Sequence, residues 1–324
     1  MRYQPNGVSI LIPIKVSALR TLGGFRECCE ELILYNFPFD LEIVIADESP
    51  EEIFEEVDSW FERCSRVTHF RPRDESRGGQ NDKMNGIYDA MNYIKYESAI
   101  LVDDHYRLSV ENILQLKPLF SRYDCFKCMV SFQEKNLKAL IDVCGMFIIN
   151  LTHPFHQFHG HLCFNAQTLS KIGFPSRDGL FDELTLELQF HEHGKTVHFA
   201  EGIFLMTVHH TTWGRFLEQR VRYAYENLAF PLRFAWHLCV LPILITCALF
   251  ELKYALGWAL CLTAGHILLA LWGQIKYGGN RFPVWTFLLS PLWFWFYPFT
   301  SWIAAFMRCS GGIYFGGRKI VKPV

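Results

Sequence analysis

Residues 1–230 predict an α/β fold, a mostly parallel sheet with helices on both faces, and residues 231–310 predict helices that cross a membrane. Three observations carry this. Strand-like and helix-like segments alternate through the first part, which is the pattern of crossover-connected parallel strands. Two of the apolar strand runs end in acidic residues. Hydropathy changes sharply near residue 230: acids and bases are interspersed before it, and residues 231–307 are nearly free of charge and crowded with Leu, Trp and Phe.

The elements follow in order. Residues 8–14 form a β-branched run reaching Pro13, a strand rather than a cleavable leader because only about seven apolar residues lie between Gly7 and Lys15. Residues 18–35 have helical spacing, 41–46 are a continuous apolar strand of the kind covered on both faces, and 51–63 are helical. A short strand at 66–70, a helix at 83–93, a strand at 99–102 and a helix at 109–121 continue the alternation. In such sheets ligands bind at the carboxyl ends of the strands. Asp47 follows the second strand, and Asp103 and Asp104 follow the fourth.

Composition excludes several classes. Half of the 324 residues are apolar and one-fifth charged, unlike a disordered chain. A pI near 6.7 argues against a general nucleic-acid binder. No GxGxxG follows the first strand, and no GxxxxGK[ST] or GxSxG occurs, which disfavours dinucleotide oxidoreductases, P-loop enzymes and serine hydrolases. The eleven cysteines are odd in number and lack framework spacing. Cys125 and Cys128 make a lone CxxC in a strand, read as reduced thiols of a cytosol-facing chain rather than a zinc site.

The tail holds apolar runs of 17 residues at 234–250 and 20 residues at 254–273, each close to the length that crosses a hydrocarbon core. A third charge-free run of 26 residues, 282–307, carries three prolines and many aromatics, and reads as a kinked span, a re-entrant hairpin or an interfacial element. Basic clusters flank all three runs and prefer the cytoplasm by the positive-inside rule. The expected division is a cytosolic domain over 1–230, a membrane region over 231–310 and a basic tail over 311–324.

The chemistry concentrates at Ile100-Leu-Val-Asp-Asp-His105, where carboxylates and an imidazole end an apolar strand. Hard divalent cations prefer carboxylate oxygens, and Mn²⁺ also accepts imidazole. Taken alone, Asp-Asp after a strand reads first as the start of a loop that caps the next helix, because Asp is common at such positions. The run HPFHQFHGH, with His153, His156, His159 and His161, is a conceivable second metal site, although no acid or cysteine lies within it. The pair His209-His210 precedes an Arg-rich segment. Arg215, Arg220 and Arg222 also read as a juxtamembrane cluster attracted to anionic lipid.

In order and spacing, several blocks together resemble the family 2 glycosyltransferases of GT-A fold, especially the membrane-bound branch of ceramide glucosyltransferases and hopanoid-associated glycosyltransferases. Val8-Ser-Ile-Leu-Ile-Pro13 resembles the opening strand, and Glu42-Ile-Val-Ile-Ala-Asp-Glu-Ser49 the strand and acid that hold the nucleotide base. Asn81-Asp-Lys-Met-Asn-Gly86 is similar to the Lys-containing segment beside the diphosphate, and Asp103-Asp-His105 occupies the place of the metal-binding DxD. Gly160-His-Leu-Cys-Phe-Asn165, Phe181-Asp-Glu-Leu184 and Gln219-Arg-Val-Arg-Tyr223 resemble the acceptor-side loop, the catalytic-base motif and Q-x-x-R-W; residues 311–319 resemble the closing Gly- and Arg-rich segment. The chain departs at His105 for the second Asp of DxD, at Tyr223 for Trp, and at Phe181-Asp182-Glu183 for Thr-Glu-Asp.

The resemblance implies a single inverting displacement. Glu183 would be the general base, with Asp182 as second choice. Asp103 and His105 would hold Mn²⁺ or Mg²⁺, with Asp104 able to substitute. Pro13, Asp47, Lys83, Asp103, Asp104, Gln219, Arg220 and Arg222 would line the donor site, and His161 and Tyr223 the acceptor side. The expected partners are a nucleotide-sugar, a UDP-sugar first among donors, a lipid acceptor and the membrane, with no nucleic acid. Two or three spans cannot enclose a polymer channel in a monomer, which favours transfer to a lipid at the cytoplasmic face. The rivals are a processive synthase of a short polysaccharide and a non-catalytic membrane-anchored subunit that binds nucleotide-sugar.

Overall fold

The structure, a computed structural model, describes residues 3–152, 160–208, 211–315 and 317–324. In chain order it runs β1 (Gln4–Ile14), α1 (Phe25–Leu34), β2 (Asp40–Asp47), α2 (Glu51–Phe61), β3 (Val67–Phe70), α3 (Asp82–Ala90), β4 (Tyr96–Val102), β5 (Tyr106–Arg107), α4 (Val110–Leu116) and β6 (Cys125–Phe132). It continues with α5 (Leu137–Thr152), β7 (His161–Asn165), α6 (Ala166–Ile172), α7 (Asp182–Glu192), β8 (Val197–Thr207), α8 (Trp213–Glu226), α9 (Pro231–Phe250), α10 (Leu252–Gly273), α11 (Ser290–Cys309), β9 (Ile313–Phe315) and β10 (Arg318–Ile320). These elements group into two compact units, Met1–Gln133 with Phe158–His209, and Glu134–Gln157 with His210–Val324.

The first unit is built on an eight-stranded sheet of order β3-β2-β1-β4-β7-β6-β8-β5. Strands β1 to β4 are mutually parallel, β7 runs antiparallel between β4 and β6, and β6 pairs parallel with β8. The α/β expectation therefore holds, and the four strands read from the sequence form the parallel half of the sheet from β3 to β4. In β1, β2 and β4 the side chains of Ile10, Ile43, Val44, Ile45, Ile100 and Leu101 are fully buried, as in apolar strands covered on both faces, whereas β3 at the sheet edge is half-buried throughout.

Two helices are shorter than their apolar spacing suggests. The 18–35 segment opens with a 3-10 turn at Leu19–Leu22, and α1 starts only after Gly24, whose φ of +70° breaks the ladder. The 109–121 segment is α4, capped by Ser109 and Asn112 in a reciprocal box, and it tightens to a 3-10 turn from Lys117 because Pro118 has no amide proton to donate. Cys125 and Cys128 lie buried in β6.

The second unit gathers α5, α8 to α11 and the β9–β10 hairpin. Helix α5 is apolar nearly all round and buried over most of its length, so it forms the unit's interior. Gly145 of α5 admits the Trp293 indole of α11: a Cβ there would lie 2.1 Å from Trp293 Nε1. Gly273 at the end of α10 likewise meets the Phe147 backbone. Arg220 of α8 is fully buried, its guanidinium 2.5 Å from Asp142 of α5 and stacked on Phe216 and Tyr223. Such a pair, taken from water, keeps its geometry because losing either partner strands a charge.

Among the described residues two helices are long and apolar enough to cross a membrane, Pro231–Phe250 and Leu252–Gly278, with mean hydropathy 1.8 and 1.7. The third charge-free run resolves into a short 3-10 turn at Thr286–Leu289 and α11, with Pro291 at the helix start, where its missing amide proton costs nothing, and Pro298 inside. Helix α11 packs on α5, α8, α9 and α10 and buries Ser290, Thr300 and Ser301, while Phe299, Trp302 and Phe306 stay exposed.

Gly145→Ala should cost about 1–3 kcal/mol through the forced shift of Trp293. Thermal unfolding of the detergent-solubilised chain checks this, and an unchanged transition would contradict the α5–α11 packing.

Candidate active site

Parallel β1, β2 and β4 bring Pro13, Asp47 and Asp103 to one edge of the sheet, since all three strands end there. Two loops complete that edge by pairing with each other. Asn81 N–H donates to Arg177 O (2.9 Å), Gln80 N–H to Asp178 Oδ1 (3.1 Å) and Asn81 Nδ2 to Gly179 O (2.7 Å). Gly79 makes the approach possible, because a Cβ there would lie 2.3 Å from Arg177 Cβ. Asn81 also caps α3. The paired loops thus set the first turns of α3 and α7 side by side, with Lys83 on one and Asp182 and Glu183 on the other.

The result is a buried charge cluster. The Lys83 ammonium forms an ion pair with Asp103 Oδ1 and lies 2.8 Å from Asp182 Oδ2 and 3.3 Å from Glu183 Oε1. Exposure of the three acids is only 18%, 6% and 10%, in that order. Burial opposes the Lys83 charge, but Asp103, Asp182 and Glu183 together outweigh it and hold its pKa well above the ordinary lysine range. Burial raises the Asp103 carboxyl, with Lys83 and His105 pulling against the rise. Glu183 is pushed well above the usual carboxyl range, first by burial and then by the Asp182 charge. A carboxylate tuned upward in this way is suited to accept a proton near neutral pH.

Asp103 is held from behind by Gly160. Its N–H donates to Gly160 O (2.8 Å), and a Cβ on Gly160 would come 2.3 Å from Asp103 Oδ2. His105 lies beside it, Nδ1 4.0 Å from Asp103 Oδ2 and 3.4 Å from Asp104 Oδ1. His161 is buried in β7: Cys128 N–H donates to its Nε2 (3.0 Å), which leaves Nδ1–H facing the Tyr106 hydroxyl (3.4 Å) in the neutral tautomer. The rest of the histidine run, His153, His156 and His159, and the pair His209-His210 lie outside the described residues.

Asp47 is fully buried. Its Oδ1 accepts from Ser49 N–H (2.7 Å) and its Oδ2 lies 3.2 Å from His69 Nε2. Burial would raise this carboxyl, yet the bonds from His69 and Ser49 win and lower it. His69 in turn meets Asp58 and stacks on Phe54, which Arg71 covers from 4.4 Å. Pro13 is half-buried and sits in register with Ala46 of β2. Gln219, Arg220, Arg222 and Tyr223 all lie on α8 in the second unit. There Arg222 covers the Phe315 ring at 4.8 Å and lines a groove with Arg215, Glu218, Tyr314 and Gly317.

Asp103, Asp182 and Glu183 each offer an oxygen, all within 4.8 Å of one another, and among the described residues they are the group so arranged for a metal ion. Hard carboxylate donors at this spacing suit Mn²⁺ or Mg²⁺. His105 adjoins that group without belonging to it. Sequence reasoning missed His69 and Asp142, which carry no local signal, and it did not anticipate that Lys83 would sit among the acids.

No protein-family model matches the chain, and no curated protein sequence does. Among solved structures it is similar to mannosyltransferase PcManGT from Pyrobaculum calidifontis, in complex with GDP-Man and Mn²⁺, at 15% identity over 96% of this chain and 77% of that one, with TM-score 0.52. The fold is GT-A. Weaker likenesses include mannosyl-3-phosphoglycerate synthase from Rubrobacter xylanophilus (13% identity, 70% of this chain and 74% of that one, TM-score 0.47). Glucosyl-3-phosphoglycerate synthase from Mycobacterium tuberculosis follows at 11% identity, 64% of this chain, 72% of that one and TM-score 0.44. At these identities the likeness is one of fold.

Gly160→Ala should turn the Asp103 carboxylate aside and weaken Mn²⁺ binding about 10- to 100-fold. The displaced atoms are the end of a flexible side chain, so the thermal transition should barely move. Calorimetric titration with Mn²⁺ reads this, and wild-type affinity in the variant would refute the role given to Gly160.

Proposed function

We propose that the chain transfers a sugar from a nucleoside-diphosphate sugar to a membrane lipid at the cytoplasmic face, with inversion at the anomeric carbon. The observation that carries this reading is the cluster of Asp103, Asp182 and Glu183 at the carboxyl edge of a GT-A sheet. Glu183 is the general base: its raised proton affinity lets it take the acceptor hydroxyl proton as the new glycosidic bond forms. Asp182, next to it in the same turn, keeps that affinity high.

Asp103, with His105 beside it, would hold Mn²⁺ or Mg²⁺, which when bound neutralises charge on the departing diphosphate. Lys83 adds a cationic partner on the donor side, and Asp104 a reserve carboxylate. Asp47 braces the strand end where the nucleoside is expected, through Ser49 and His69. Gln219, Arg220 and Arg222 enter this reading on resemblance alone, as partners of the diphosphate, and His161 and Tyr223 as residues of the acceptor side.

A lipid acceptor is supported by the two helices long and apolar enough to cross a membrane and by the basic clusters that flank them. A lipid head group needs no channel, in contrast to a growing polymer.

Detergent-purified protein incubated with UDP-sugars or GDP-mannose, Mn²⁺ or Mg²⁺ and a total lipid extract should yield free nucleoside diphosphate and one new glycolipid. A ladder of products would instead indicate a processive synthase, and nucleotide binding without turnover a non-catalytic subunit. Glu183→Gln should lower transfer about 100-fold or more while donor binding stays near wild type. Equal turnover in variant and parent would remove Glu183 from the base role.

A further inference from the structure

We propose that Lys83 is a tethered cation that holds the site's carboxylates together in the metal-free protein, and that a divalent ion enters only by displacing it. This rests on the reading of Asp103 as a metal ligand, in the acid cluster it shares with Asp182 and Glu183.

The argument begins with charge. Three carboxylates lie with oxygens within 4.8 Å of one another in a largely buried place, and the cation among them is the Lys83 ammonium. Without it the three acids would repel each other in poorly screened surroundings. The ammonium already touches Asp103 Oδ1, the carboxylate an incoming ion needs, and Asp182 Oδ2 beside it. An ion bound at about 2.0–2.4 Å from those oxygens would stand within roughly 4 Å of the ammonium, and two cations so close repel strongly. The two therefore exclude each other.

The helices give an independent reason to see Lys83 as held rather than resting. It lies in the first turn of α3, where the helix dipole disfavours a positive charge, whereas Asp182 and Glu183 lie in the first turn of α7, where the dipole favours them. Only the acids across the gap keep Lys83 in place. Its side chain is 24% exposed, so a way out toward solvent exists. Once displaced, the ammonium is free to pair with an anionic group of the donor. The fold thereby keeps the site assembled without metal, at the expense of metal affinity.

The test uses full-length protein and Mn²⁺ alone. Lys83→Met should bind Mn²⁺ about tenfold tighter or more than wild type, while Lys83→Arg, which keeps the charge, should bind near the wild-type level. Metal-free Lys83→Met should also unfold at lower temperature than wild type, and saturating Mn²⁺ should restore it. A second measurement needs no variant: in native wild-type protein, acylation of Lys83 read by mass spectrometry should be slow without metal and several-fold faster at Mn²⁺ saturation. Unchanged or weaker Mn²⁺ binding in folded Lys83→Met, or labelling of Lys83 that ignores bound Mn²⁺, would overturn the displacement. Failure of wild type and variants alike to bind Mn²⁺ would overturn the metal reading itself, and this inference with it.

Discussion

Three acids and one lysine share a buried place at the rim of the sheet, and their mutual attraction and repulsion constrain everything around them. Carboxylates brought this close in poor solvent need a cation. The first unit supplies one on a separate helix and then spends two loops, 78–81 and 177–180, to fix that helix against the acids. Glycines stand where any side chain would push the parts away: Gly79 against Arg177, and Gly160 against the Asp103 carboxylate. The parallel strands contribute the fixed wall. Their shared direction is what delivers Asp47 and Asp103 to the same edge.

The second unit solves a different problem, that of keeping charge inside apolar helices. Asp142 on α5 and Arg220 on α8 neutralise each other at 2.5 Å, with two aromatic rings against the guanidinium. Packing around them is close enough that Gly145 and Gly273 are needed for helix contact. Large apolar side chains such as Leu249, Leu260 and Leu268 remain exposed on α9 and α10, as lipid-facing side chains would be.

The residues most legible in the sequence were those whose signal is local. Apolar strand runs ending in Asp47 and Asp103 could be read directly, because a strand buried on both faces announces itself by continuous hydrophobicity and its end by the first charge. The 18–35 helix was read too long because helical spacing persists across Gly23-Gly24, while the backbone there does not. Helix α5 was not read at all, since a segment apolar on every side lacks the periodicity that marks an amphipathic helix. The pairing of Lys83 with Glu183 spans 100 residues, and that of Asp142 with Arg220 depends on two helices meeting; no spacing rule reaches so far. The motif resemblance placed Lys83 near a nucleotide without indicating that it would first be claimed by the acids.

The most direct test of the account is a crystal or cryo-EM structure of the wild-type protein with Mn²⁺ and a nucleoside diphosphate, the metal located by anomalous scattering or density. The account predicts a metal peak about 2.0–2.4 Å from carboxylate oxygens of the Asp103, Asp182 and Glu183 cluster, with the Lys83 ammonium moved off them. A metal bound elsewhere, or the ammonium still seated among the three acids beside the bound nucleotide, would contradict it.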